Sequence, residues 1–587
     1  MQSPRFPRRS ALAAFAIGVT LTGSLLAWAI PVHAETEAER EREREEERER
    51  PMPLPAAGTV LPTHKVRAIE SSVINVAAIA KRDAMAKPFA IGAFTPIAIL
   101  QGEETTEAEV DEPITGTPVE NYTFPQAGTP AFVPSPTPSL SFIGLDDIPR
   151  VGTGSITIPP DVDGAIGPNH IMETLNNNYR FFNKTTGAVT NTISITSFWT
   201  AAGGTGHFDP KTLYDPIQNR WIAVAVSNAA TTQSSILVAV SQTDDPTGTW
   251  NTFRILGDST GVNWADFPCV GYNKNWIGIN VNMFSVAANA SAGAKMLLID
   301  YAQARTGTFV ATMVTGTGFC TAPAATYSST ENTLWAPTHL SSGGGTYRLD
   351  TITGTPTAPV YTVGATRSRG LTWAQPSGAI LPQAAPLSGA SICGATPCKL
   401  ETQDAQIRTT PIFRNNSVYY SQTVGVPAGT LTHTAVQWTR VATATGNVTD
   451  GGRIEDATAT ATNGGKWYAY SHMAVNAAGD VVMSIGQFSS TQFPSAAYVF
   501  RAATDAAGTF RDPVVIKAGE DYYHKDFGSG RNRWGDYVKA QVDPSDDQAL
   551  WVLGEYSKAR VGTDDGTTGS NSSKWGTWWA RISAAVT

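Results

Sequence analysis

Six aspartates stand at or just ahead of apolar, β-rich runs: Asp161, Asp163, Asp209, Asp266, Asp404 and Asp536. An aspartate in that place can simply accept hydrogen bonds from nearby backbone N–H groups and cap its own turn. Several of them brought around one axis would make an acidic ring able to hold a Ca²⁺ through oxygen ligands or to contact sugar hydroxyls. Asp161-Val-Asp163-Gly164 places two carboxylates before a glycine turn, as a calcium loop does, although the later ligands of such a loop are missing. Asp161 and Asp163 are therefore candidate metal ligands, with a plain Asp-Gly turn as the alternative.

Catalysis would fall to groups beside the same strand starts. Asp266 and Asp536 can serve as acid and base on a glycosidic bond, which needs paired carboxylates. Tyr537 and Glu555 are further candidates beside the same strands. Arg408 offers a planar cation that pairs bidentately with a substrate carboxylate, and His472 a proton acceptor for uronate elimination. His170, His207, His339 and His524 are scattered in the same way, and each can equally be structural. The chain has no GxSxG elbow, phosphate loop, haem attachment motif or zinc-binding helix motif. Its formal net charge is −8 without a basic stripe, which argues against nucleic acid as partner, because phosphate neutralisation needs clustered Lys and Arg.

Three hairpins that nearly repeat one another identify the elements that must position these groups. They start at Ile236, Met296 and Ala497, and each is an apolar run, a polar turn with a Gly-Thr-aromatic triplet, and a second run. A second marker shares their phase: Asn219 before Trp221, Asn275 before Trp276, Asn332 before Trp335 and Asp547 before Trp551. Asn and Asp suit the tight turn, and the Trp can cover the gap between neighbouring units. Recurrence at this period, with no long helical pattern, predicts an all-β fold, a seven-bladed β-propeller with six blades as the alternative, over residues 141–587.

The N-terminus is different. Arg5, Arg8 and Arg9, an apolar stretch from Ala11 to Ile30 and Val32-His33-Ala34 form a signal peptide over 1–34. Residues 35–140 start with a Glu–Arg run and continue rich in Pro, Ala and Thr, which predicts a disordered charged stalk, linker or propeptide. Only Ser71 to Leu100 is apolar enough there for a helix or strand. Export to the periplasm, cell surface or medium follows, with no membrane span after cleavage. The cysteines agree: Cys393 and Cys398 suit a small disulfide loop, and Cys269 with Cys320 a staple across one repeat.

The turn Ser241–Trp250 resembles the Asp-box of sialidase-type propellers, with Asp245 and Gly248 one position further apart than that motif has them. Pro159–His170, Leu213–Trp221 and Arg533–Pro544 also resemble a group of secreted bacterial propellers of no settled activity. The resemblance implies a propeller in which Asp-boxes are structural and remote from any active centre. Among sialidases it would assign an arginine cluster to Arg369, Arg408 and Arg533, a Tyr–Glu pair to Tyr537 or Tyr556 with Glu555, and the acid to Asp266. The Arg-Ile-Pro element that leads sialidases is absent. The expectation is a propeller that acts on or binds an extracellular polysaccharide at its axial channel, as a glycoside hydrolase or lyase. The alternative is a non-catalytic adhesion or structural propeller whose partner is a cell-surface component.

Overall fold

Short β-branched runs broken by Gly, Asn and Asp can bury their apolar residues only by pairing with one another, and here they pair as antiparallel meanders. The computed structural model describes residues 55–86, 95–98, 119–120, 134–562 and 572–583, except 342, 344, 388–390, 394–396 and 403. The signal peptide and the Glu–Arg run lie outside the described residues. All described residues belong to the compact unit Met52–Thr587.

The architecture is all-β, with the sheets arranged as the blades of a propeller. Their first strands follow one another in space: Asp163–Ile166, Phe208–Asp215, Asn263–Tyr272, Ala325–Thr326, Ile412–Arg414, Trp467–Val475 and Lys539–Val542, the last again beside Asp163–Ile166. Five sheets of four or five strands stand apart as blades, rather than the seven or six expected. The reason lies at Ala325–Thr326. This two-residue strand makes parallel bridges to Tyr272 on one side and Ile412 on the other, which merges two meanders into one ten-stranded sheet. The three repeated hairpins are each the third and fourth strands of a meander.

The tryptophan markers sit at the turn between first and second strands. Asn219 and Asp547 take left-handed backbone there, with φ 52° each. Trp221, Trp276 and Trp551 are buried, and Trp221 crosses to the preceding sheet, where a Cβ on Gly167 would lie 2.4 Å from its ring. Glycine at 167 is what lets the two blades close.

The stretch read as a stalk contributes structure where it is described. Glu70–Asn75 adds a fifth strand to the sheet ending in Thr249–Leu256, and Thr63–Val66 pairs with Ala311–Thr317. The helix Val76–Met85, capped by Asn75, buries Val76, Ile79 and Ala80; its Asp83 accepts from Ser194 N–H and Ser197 Oγ. Among the described residues no helix is long and apolar enough to cross a membrane. Cys393 and Cys398 form a disulfide, whereas Cys269 and Cys320 are buried thiols rather than the expected staple.

Closure joins the two ends of the propeller. Leu140–Asp146 is the outer strand of the last blade, paired with Lys574–Ile582. Glu173, in the first blade and wholly buried, locks that pairing. It accepts from Leu145 N–H at 3.1 Å, Thr577 Oγ1 at 2.6 Å and Trp579 Nε1 at 2.9 Å. Replacing Glu173 by Ala would strand those buried donors and leave a void. Urea unfolding is expected to show a loss of about 3–5 kcal/mol with m unchanged; a loss below about 1 kcal/mol would mean that the latch carries no load.

Candidate active site at the propeller axis

The first strands converge on the axis, and what several of them present there is decided by local backbone geometry. Bulges interrupt the register at Asp209-Pro210, Phe267-Pro268 and Tyr470. The residues Asp209, Phe267 and Tyr470 have φ of 50°, 52° and 53°, and Asp161, just ahead of its strand, has φ 51°. Left-handed backbone at non-glycine residues is strained, and a bulge re-aims a side chain. The repeated device delivers carboxylates from different blades to one end of the axis.

Asp161, Asp209, Asp266 and Asp536 gather there, each at most 2% exposed. Asp161 and Asp209 face each other at hydrogen-bonding distance, and no other described group donates to the Asp209 oxygens. A shared proton accounts for the contact. Burial pushes the Asp161 carboxyl well above the usual carboxylate range, and the charges of Asp536 and Asp209 push it further, with Arg533 opposing. Burial does the same to Asp209, reinforced by Asp266 and Asp536.

A chain of polar contacts holds the group. Asn176 Nδ2 donates to Asp161 Oδ2 at 2.5 Å, and its Oδ1 accepts from Asp209 N–H at 2.8 Å. Asp536 N–H donates to Asp161 Oδ1 at 3.2 Å. Arg533 pairs with Asp536 at 3.3 Å and with Glu401 at 3.1 Å, and Arg531 pairs with Glu401 at 2.6 Å. Glu555 lies against this cluster, its carboxyl raised by burial and then by Asp161, Asp147 and Asp536. A Cβ on Gly535 would lie 2.7 Å from Glu555 Oε2, so the Arg533–Tyr537 backbone passes directly against that carboxyl.

The remaining candidates are close by but differently engaged. Arg408 is salt-bridged to Asp404 at 2.8 Å and stacks on Phe267 at 4.6 Å. The Tyr537 ring packs on Phe267 and under the Lys211 ammonium. Burial, with Asp209, Asp536 and Asp161, holds its phenol far above the usual range, the opposite of what an activated nucleophile needs. His472 accepts from Ala540 N–H on Nδ1 at 3.1 Å and donates from Nε2 to Thr410 O at 2.9 Å. Both ring nitrogens are used, and burial with Lys539 lowers its pKa well below the usual value, so the ring is neutral. It lines a cavity of about 10 Å³ with Tyr272, Tyr327 and Lys539, room for one water. Asp163 accepts from Gly164 N–H, Thr212 N–H and the Lys539 ammonium at 2.9 Å, which makes it an interblade ion pair. Among the described residues no three His, Cys, Asp or Glu side chains are grouped so as to hold a metal ion, Asp161 and Asp163 included.

Sequence reasoning missed Asn176, Lys211 and Glu401. Asn176 sits in an Asn-Asn-Asn turn, which was the available signal. Lys211 follows Asp209 by two positions on the same strand; its Nζ has no hydrogen bond among the described residues, and burial lowers its pKa to about 8. Residues from two connections touch beside the cluster: Gln383 Nε2 donates to Tyr523 O, and Asn532 Nδ2 to Lys399 O.

No family model matches the sequence, and no curated protein does. Among solved structures, a Penicillium chrysogenum α-L-arabinanase complexed with arabinobiose aligns at 9% identity and TM-score 0.33, over 76% of this chain and 98% of that one. A xylan β-1,4-xylosidase from Bacillus halodurans aligns at 9% identity and TM-score 0.27, over 72% and 98%. A Trypanosoma rangeli sialidase aligns at 11% identity and TM-score 0.28, over 68% and 56%. At these scores the likeness decides nothing about chemistry.

The raised carboxyls set a pH dependence. The Asp161–Asp209 pair keeps a proton in the folded state that the unfolded chain releases near the ordinary value of 3.8. The pair's contribution to stability is therefore full below that pH and is lost as pH rises through the raised folded values. Asp209→Asn removes one like charge from the dry centre. Unfolding at pH 5 and pH 8 is expected to show a flatter pH dependence than wild type and a gain of about 1–3 kcal/mol at pH 8. An unchanged slope would refute the shared-proton assignment.

Proposed function

We propose that this chain is an exported, carbohydrate-active propeller whose chemistry lies at the axial carboxylate cluster. The observation that carries the reading is the Asp161–Asp209 pair, two carboxyls sharing a proton in a desolvated centre, with Asp536 and its Arg533 partner alongside. Hydrolysis of a glycosidic bond needs one carboxyl that still holds its proton at neutral pH and a second carboxylate to act as base or nucleophile. The pair supplies the first and Asp536 the second, while Asp266 adds negative charge that keeps the proton in place. Glu555 supports the same cluster, and Arg408 is the cation available for an acidic sugar. Tyr537 and His472 act as walls in this reading. Export rests on the signal-peptide pattern of residues 1–34. We also read the ten-stranded sheet as two blades, so that seven first strands surround the axis.

One observation favours a second reading, a binding or structural propeller without turnover: the four carboxyls are each at most 2% exposed, so a polysaccharide would reach them only if the surrounding chain parted. A reducing-sugar and unsaturated-uronate screen over a polysaccharide panel separates the two. Hydrolysis is expected for wild type, with activity reduced about 10²- to 10⁴-fold in Asp209→Asn and Asp536→Ala. No release from any substrate, alongside retained glycan-array binding, would establish the second reading instead.

A further inference from the structure

Cys269 and Cys320 carry a chemistry separate from the carboxylates. Cys269 follows the bulge Phe267-Pro268 in the first strand Asn263–Tyr272. Cys320 lies in the connection leaving Ala311–Thr317, with left-handed backbone at φ 46°. The two thiols touch: Cys320 S–H donates to the Cys269 sulfur. Asn282 fixes Cys320 from both sides, its Nδ2 donating to Sγ at 3.2 Å and its Oδ1 accepting from Cys320 N–H at 2.9 Å.

The pair is electrostatically unequal. The Cys320 hydrogen bond and the nearby Lys211 and Arg408 cations favour thiolate at Cys269, against burial and Asp404. Burial and Cys269 itself hold Cys320 as a thiol. The buried Lys211 ammonium has no hydrogen-bond partner among the described residues. A thiolate former held against a protonated thiol is set to close a disulfide once an oxidant small enough to enter the buried site reaches it. The chain also carries the Cys393–Cys398 disulfide, which suits a compartment where thiols are oxidised.

We propose that Cys269 and Cys320 are a redox pair, oxidised by a small hydroperoxide to a second disulfide that ties the first strand of one meander to the connection opening the next. The Cys269 thiolate attacks one oxygen of hydrogen peroxide, the O–O bond breaks, and hydroxide leaves, giving a sulfenic acid. The Cys320 sulfur then attacks the Cys269 sulfur, its proton passes to the departing hydroxyl, and water leaves as the S–S bond forms. Two thiols are oxidised and one peroxide is reduced to two waters. Hydrogen peroxide fits the burial of the pair because it is little larger than water, whereas a bulky disulfide oxidant would not reach the thiols in the folded chain.

The full chain treated with hydrogen peroxide, then denatured, alkylated and mapped by mass spectrometry, tests this. The expected result is one Cys269–Cys320 cross-linked peptide, 2 Da lighter than the two thiol peptides together. The Tm is expected to rise by roughly 5 °C over untreated protein, since the bond closes a long loop. In Cys320→Ser the cross-link and the rise disappear, and Cys269 is trapped as its dimedone adduct. Complete alkylation of both cysteines in peroxide-treated wild type would overturn the proposal, as would oxidation of Cys269 to sulfinic acid without a cross-link. Glycan activity is not read in any arm, so the outcome is independent of the carbohydrate reading.

Discussion

The pairing of Leu140–Asp146 with Lys574–Ile582 is the constraint from which the rest follows. A ring of blades has no stable open form, because an unclosed first and last blade would each expose a face of apolar side chains and an unpaired edge. Closing it brings residues from opposite ends of the chain into contact. Asp161 meets Asp536, and Lys184 meets Asp543 at 2.9 Å, only because the last blade lies beside the first. The axial cluster is thus a product of closure, and Glu173, which holds the closing strands from inside the first blade, supports the site from a distance.

Closure also explains how the centre can tolerate its own electrostatics. Four carboxylates in a dry core repel one another, and several left-handed non-glycine residues add about 1–3 kcal/mol of strain each. Neither would survive in a flexible loop. Here Asp209, Phe267 and Tyr470 sit in bulges of strands paired to the next strand of their own meander, so the backbone cannot relax without disturbing that pairing. What strain cannot hold, polar contacts do: Asn176 bridges Asp161 and Asp209, and the Arg533–Glu401 pair ties Asp536 to the strand Leu400–Thr402.

Much of the fold could be read in the sequence because it is local. A hairpin with its Gly-Thr-aromatic turn, or an Asn turn followed by a buried Trp, satisfies its own geometry and so leaves a pattern that repeats. The edge strand Glu70–Asn75 left none, since its side chains are largely exposed and it is held by backbone pairing with Thr249–Leu256. The two-residue strand Ala325–Thr326, which merges two meanders, is too short to show any period. The site divides the same way. Aspartates at strand starts are visible as a class, so Asp161, Asp209, Asp266 and Asp536 could be picked out. Their states could not, because burial and mutual charge come from other blades. His472 looks like any candidate base until Ala540 N–H and Thr410 O, both distant in sequence, are seen to occupy its ring. Lys211 owes its lowered pKa to burial beneath residues some three hundred positions away.

Desolvation then links the closed centre to the proposed chemistry. Burial is the first cause of the raised Asp161 and Asp209 carboxyls, ahead of any neighbouring charge. A proton held by desolvation is held only while water is excluded. On the proposed reading, opening the centre to admit a sugar would hydrate the pair, stabilise its ionised form and lower its affinity for the shared proton. The acid would thus be armed while the site is closed and would become a better donor as the leaving group arrives. A structural centre gains nothing from such an arrangement, since an apolar or fully ion-paired core would hold the ring with less cost.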